Sequence, residues 1–126
     1  MTDKVLVVDD EPFILRSLSF VLRKGKMDVV EARNGEEALG MIREHHPRLV
    51  FLDVMMPKMN GYDVVRAVRA EEKFSDVHLV LLTAKGQEAD RAVGMEAGAN
   101  DYLTKPFSPA RILQLAKEVL GQPDQV

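Results

Sequence analysis

Cysteine is absent from the 126 residues, which removes disulfide staples, thiolate nucleophiles and zinc–sulfur sites together. Long apolar runs are absent too. None approaches the ~20 residues needed to cross a bilayer, and the start, Met1-Thr2-Asp3-Lys4, lacks the basic segment and apolar stretch of a secretory signal. Charge of one sign is missing as well: the net value is −3 with acids and bases interspersed, so no long-range field marks a nucleic-acid or membrane partner. There is no internal repeat or low-complexity tract. These absences imply a soluble, cytoplasmic domain whose partners are selected locally. With 46% hydrophobic residues the length suits one core, hiding about two thirds of the unfolded surface. We expect a single domain over residues 1–121 and a polar tail or linker stub over 122–126.

What is present is an alternation. The runs Val5 to Val8, Leu49 to Leu52 and Leu79 to Leu82 are apolar without a polar/apolar period, as in strands covered on both faces of a parallel sheet. Asp28 to Ala32 and Asp101 to Thr104 are weaker strand candidates. Between them lie helical spacings: Ile14, Leu18, Val21 and Leu22; Ala38, Leu39 and Ile42; Val64, Val65 and Val68; Ala89, Ala92 and Val93; Ile112, Leu115, Ala116, Val119 and Leu120. Asn34-Gly35, Asn60-Gly61, Gly98, Ser108-Pro109 and Gly121 punctuate the boundaries. Five strands alternating with five helices predict an α/β domain with right-handed crossovers and helices on both faces.

Each strand candidate that matters ends in a polar residue: Val8 before Asp9 and Asp10, Leu52 before Asp53, Leu82 before Thr83, and the last strand before Lys105. In an open parallel sheet these ends share one side, where such folds bind ligands. Three carboxylates against one ammonium leave an excess that a divalent cation would neutralise, and an all-oxygen, partly wet site favours Mg²⁺. A carboxylate beside Mg²⁺ suggests phosphoryl transfer through an aspartyl-phosphate. Asp53, alone at a buried strand end, is the nucleophile candidate, and the adjacent Asp9 and Asp10 share the metal. The Thr83 hydroxyl and the Lys105 ammonium are placed to read phosphoryl oxygens.

At these spacings VVDDEP, LDVMMPKMNG, LLTAK and DYLTKPF resemble the receiver domain of two-component response regulators, over essentially the whole chain. The resemblance implies a flavodoxin-like (βα)5 fold with a five-stranded parallel sheet of order 2-1-3-4-5. It implies Asp53 as phosphoacceptor, Asp10 and Asp53 on Mg²⁺ with Asp9 acting mainly through a bound water, and the Met55 carbonyl as a further ligand. It also implies Thr83 and Tyr102 as switch residues and a cis peptide at Lys105–Pro106. The implied partners are a sensor histidine kinase or phosphotransfer protein and an output partner or C-terminal effector domain. Positions two after the phosphoacceptor and the threonine, Met55 and Lys85, offer no group to orient an attacking water, so a long-lived phosphoryl group is expected. TAKGQEADR and AGANDYLTKPFSP resemble receivers of winged-helix transcription factors, which dimerise through their fourth helix, fifth strand and fifth helix. Arg111 stands where that pattern has an acid facing Arg91, so a monomer or a weak phosphorylation-dependent dimer is expected.

Plainer readings stand beside these. Asp9-Asp10-Glu11-Pro12 alone reads as a solvated helix start, Thr83 as a cap, Lys105 as a surface charge and Tyr102 as packing. His45-His46 reads as an exposed helix end, and Met55, Met56 and Met59 as loop packing. A Mg²⁺-dependent phosphatase with an aspartyl nucleophile is the rival enzyme, although it usually carries a second aspartate where this chain has Met55. A flavodoxin-like cofactor module would need a phosphate-binding loop where this chain has carboxylates. A receiver that is never phosphorylated is the last alternative.

Overall fold

The computed structural model describes residues 3–84 and 91–121. Its elements follow the alternation: β1 (Lys4–Val8), α1 (Pro12–Lys24), β2 (Asp28–Ala32), α2 (Gly35–His45), β3 (Leu49–Asp53), α3 (Gly61–Arg69), a 3-10 turn (Glu72–Phe74), β4 (His78–Thr83), α4 (Arg91–Ala97), β5 (Asp101–Thr104) and α5 (Pro109–Leu120). All strand pairs are parallel and the order is β2-β1-β3-β4-β5. The chain order therefore reverses between β1 and β3, which opens a crevice at their carboxyl ends.

The unalternating strands are buried on both sides. Leu6, Val8, Val50, Leu52, Leu79 and Leu81 pack toward Ile42, Val64 and Val68 of α2 and α3, while Val5, Val7, Phe51, Val80 and Leu82 pack toward Leu18, Leu22 and Ile112 of α1 and α5. Each such side chain contributes about 1.5–3 kcal/mol of transfer free energy, so the two apolar layers fix the strand ends.

Local chemistry sets the boundaries. The Asn34 side chain accepts from the Glu37 N–H, Asn60 and Asp63 form a reciprocal capping box, and Ser108 caps α5 with Pro109 at its first position. Gly121 closes α5 at a left-handed φ of 69°.

Two expectations need correction. Ala92 and Val93 do not form the inner face of α4; they are exposed, and the buried residue is Gly94. A Cβ on Gly94 would lie 2.5 Å from Leu81 Cδ1, so α4 meets the sheet through bare backbone and turns its apolar side chains outward. Ala89, the remaining member of that spacing, lies outside the described residues. His45 is only partly exposed, and His46, the left-handed cap of α2, bonds Asp76 at 2.8 Å and meets the Phe74 ring edge-on. Among the described residues no helix is long and apolar enough to cross a membrane.

Candidate functional site

Asp9 and Asp10 follow β1, Asp53 and Thr83 end β3 and β4, and Lys105 follows β5. The Lys105 ammonium donates to Asp9 Oδ2 at 3.0 Å and to Asp53 Oδ1 at 3.2 Å, so residues from three strand ends meet directly. The Lys105 N–H donates to the Thr83 carbonyl at 2.6 Å, which ties the lysine to the end of β4. The Lys105–Pro106 peptide is cis. Asp9, Asp53 and Thr83 are buried, whereas Asp10 is exposed at the rim.

The segment after Asp53 is held as tightly as the carboxylate. The Val54 N–H donates to Leu82 O at 3.0 Å and the Gly61 N–H to Val54 O at 2.9 Å. A Cβ on Gly61 would sit 2.7 Å from the Asp53 carbonyl oxygen, so only glycine lets α3 begin this close to the strand end. Met56 is buried, while Met55 stays 60% exposed. Asp9 Oδ1 accepts the Glu11 N–H at 2.9 Å, which orients that carboxylate at the start of α1.

Burial, and next the charge of Asp9, push the Asp53 pKa up from 3.8 to about 6, even though Lys105 pulls it down. For Lys105 burial acts to lower the pKa, but the bonds and charges of Asp9 and Asp53 outweigh it and the net shift is upward. One ammonium thus leaves the group short of positive charge. Asp9, Asp10 and Asp53 each offer an oxygen, and these atoms lie within 4.8 Å of one another. All-oxygen donors, two buried and one at the rim, fit a small hard dication that keeps part of its water shell.

Tyr102 is buried in β5, and the Arg91 guanidinium stands 5.7 Å from its ring centroid. Arg111 is exposed in the first turn of α5. Lys85, paired above with Met55, lies outside the described residues.

One feature is missing from the sequence reading. Phe13 and Phe20 of α1 are 75% and 64% exposed, and they flank an apolar groove of about 740 Å³ against Pro109 and Leu113 of α5, rimmed by Arg16 and Lys24. A smaller cavity of about 210 Å³ shares Phe13 and Pro109 and reaches Lys105, Pro106 and Phe107. The smaller cavity thus lies between the groove and Lys105, the residue that bonds Asp9 and Asp53. The seven-residue spacing of two phenylalanines outside the core stripe was the available signal.

A family model described as the response regulator receiver domain matches residues 5–117. The chain is 47% identical over 124 residues to the "Probable transcriptional regulator ycf27" of Porphyra purpurea, covering 98% of this chain and 50% of that protein. It is 42% identical to the alkaline phosphatase synthesis transcriptional regulatory protein PhoP of Bacillus subtilis, covering 95% of this chain and 49% of PhoP. It thus spans about half the length of these curated relatives. The chemotaxis response regulator CheY4 of Vibrio cholerae superposes with a TM-score of 0.87 at 32% identity, covering 95% of this chain and 100% of CheY4. The rival phosphatase reading receives no support from these matches. A family match across nearly the whole domain, on a fold with the same strand order, places this chain among the receiver domains of two-component response regulators, the family to which it belongs.

Proposed function

We propose that this domain is a switch in which Asp53 takes a phosphoryl group from the phosphohistidine of a sensor histidine kinase or phosphotransfer protein. The observation that carries the reading is the Lys105 ammonium bridging Asp9 and Asp53 beside Thr83. Asp9, Asp10 and Asp53, with the Met55 carbonyl, would hold Mg²⁺, which when bound neutralises the carboxylates and orients phosphoryl oxygens. A pKa of about 6 leaves Asp53 mostly ionised at neutral pH, so a carboxylate lone pair can attack phosphorus. The new O–P bond forms as the P–N bond breaks. Its electron pair passes to the imidazole, which leaves neutral when its other nitrogen carries a proton. Lys105 and the Thr83 hydroxyl then stabilise the phosphoryl oxygens, and Thr83 and Tyr102 pass the change to the face of α4, β5 and α5.

On this reading the domain catalyses only its own phosphorylation and slow dephosphorylation, in the cytoplasm. Its output is an effector domain or partner, in keeping with relatives twice its length that are named as transcriptional regulators. Arg91 and Arg111 leave the switching face rich in cations, which favours at most a weak dimer. The domain occupies residues 1–121, with 122–126, outside the described residues, as tail or linker.

Incubation with acetyl phosphate and Mg²⁺, read by intact mass, tests the assignment; no phosphoryl adduct on the native chain overturns it. The roles separate in variants. Asp10→Ala weakens Mg²⁺ binding at least about tenfold, on the order of 1.4 kcal/mol, while Lys105→Ala retains most metal affinity. Equal losses in a Mg²⁺ titration contradict that division.

The groove beside the site suits a helix of the phosphodonor, apolar toward Phe13 and Phe20 and acidic toward Arg16 and Lys24. The double variant Phe13→Ser, Phe20→Ser slows transfer from a phosphorylated kinase about tenfold or more and leaves transfer from acetyl phosphate within about twofold. Equal slowing with both donors removes the docking role. Met55 is exposed where water must approach Asp53 and cannot orient it. Met55→Asn therefore shortens the phosphoryl lifetime about tenfold, or about 1.4 kcal/mol in barrier, in a decay assay; an unchanged lifetime means position 55 does not control hydrolysis.

A further inference from the structure

Arg69, the last residue of α3, ties together parts of the chain that are remote in sequence. Its Nε donates to the Gly98 carbonyl at 2.8 Å, one terminal nitrogen to Phe74 O at 3.2 Å, and the other to Val77 O at 2.8 Å and Asn100 Oδ1 at 2.6 Å. Asn100 Oδ1 also accepts the Leu79 N–H at 2.8 Å, and the Asn100 N–H donates to Leu79 O at 2.8 Å. Gly98 has φ +119°, and a Cβ there would lie 2.6 Å from Arg69 Cγ, so glycine allows the arginine stem to lie against this turn. The connection from α4 to β5 is thereby fastened to the first residues of β4, where Leu79 is fully buried. Charge-assisted bonds to main-chain carbonyls are costly to break because acceptor and guanidinium both lose their partner.

The opposite end of α4 is held differently. Arg91, Ala92 and Val93 are exposed, Arg91 rests over the Tyr102 ring, and the helix touches Leu81 and Tyr62 at Gly94. Helix α4 is thus clamped at its carboxyl end, while Arg91, Ala92 and Val93 stand exposed.

We propose that Arg69 is the fixed pivot of the switching face. It holds the carboxyl end of α4 to β4, so a change begun at Thr83 and Tyr102 swings the Arg91 end of the helix. Arg91 and Ala97 are about 9 Å apart along a helix axis, so a tilt of ~20° moves Arg91 about 3 Å while Gly98 stays in place. Arg69 is a positioning residue: it bonds beside the start of β4, at the opposite end of that strand from Thr83, and acts through the Gly98–Asn100 turn. The proposal rests on the reading of this domain as a phosphorylation-driven switch.

Amide hydrogen exchange of the whole chain, with and without beryllofluoride and Mg²⁺, tests it residue by residue. In the native protein Ala92, Val93 and Met95 change exchange rate about tenfold or more between the two conditions, and Leu79, Ala99 and Asn100 stay within about twofold. In Arg69→Met the change spreads to Ala99 and Asn100, and Arg69→Lys gives an intermediate pattern. A general loss of stability raises exchange under both conditions and cancels in the ratio, so the ratio reports the pivot. Should Arg69→Met fail to fold, the native profile and Arg69→Lys decide. Native Asn100 and Leu79 changing as much as Val93, or a native ratio pattern in the arginine variants, overturns the pivot. Phosphoryl uptake from acetyl phosphate is measured in parallel. Its absence from the native chain overturns the switch reading and the pivot together, whereas normal uptake with a uniform change across residues 91–100 overturns the pivot alone.

Discussion

Asp53→Asn protein incubated with acetyl phosphate and Mg²⁺ keeps its unmodified mass, while the native chain gains one phosphoryl group. The amide has no anionic oxygen to attack phosphorus, and it withdraws one of the three carboxylates that could hold the metal. Loss of uptake is complete, because among the described residues neither remaining carboxylate of the cluster matches the position: Asp9 is engaged by Lys105 and the Glu11 N–H, and Asp10 is exposed at the rim. The same variant gains stability without metal at neutral pH, since it removes a buried charge that Lys105 only partly compensates. A misfolded variant would lose both properties. Unfolding midpoints therefore accompany the mass measurement, and undiminished uptake by Asp53→Asn refutes the assignment of the phosphoacceptor.

The strands were legible because burial on both faces leaves a plain mark: Asp28–Ala32 and Asp101–Thr104 match the expected spans, while β1 gains a residue at its start, β3 one at its end and β4 one at each end. Caps were legible for a similar reason, as Asn34, Asn60 and Ser108 make their defining bonds with residues three positions ahead. The strand order came from the family resemblance, since spacing carries no information about which strands are neighbours.

What escaped the sequence depends on partners far along the chain. Periodicity counts apolar side chains, so it put Ala92 and Val93 inward, whereas α4 is seated by the missing side chain of Gly94 against Leu81 and Tyr62. Arg69 drew no notice in the sequence, because three of its acceptors are main-chain carbonyls that no motif records. Phe13 and Phe20 were passed over because the core stripe of α1 is complete without them. The convergence of Asp9, Asp53 and Lys105 was legible because strand direction alone brings their ends to one side of the sheet.

Asp53 makes the metal-free domain lose stability as pH rises from about 4 to about 7, against an opposite contribution from His78, whose pKa burial holds below 6.5. The folded pKa of Asp53, about 6, lies above its ordinary value of 3.8. Between those values the folded chain holds a proton that the unfolded chain has released, so unfolding releases a proton and rising pH favours it. The contribution is fully present below the unfolded pKa and is lost as pH passes through about 6. It amounts to about 3 kcal/mol, at 1.36 kcal/mol for each tenfold change, and roughly half of it is lost above about pH 5. Lys105, whose pKa is also raised, adds a loss of the same sign at alkaline pH. Magnesium should reverse the acid limb, because it binds the ionised carboxylates. Its affinity then falls about tenfold for each pH unit below about 6, as a proton on Asp53 must be displaced. Urea unfolding followed by far-ultraviolet circular dichroism in a chelator at about pH 5 and pH 7 measures the slope, and repetition with saturating Mg²⁺ measures its reversal. In Asp53→Asn the falling contribution disappears and only the opposite, rising contribution of His78 remains. The same change of stability between the two pH values in the native chain and in Asp53→Asn would show that the buried carboxylate at the end of β3 does not carry this proton.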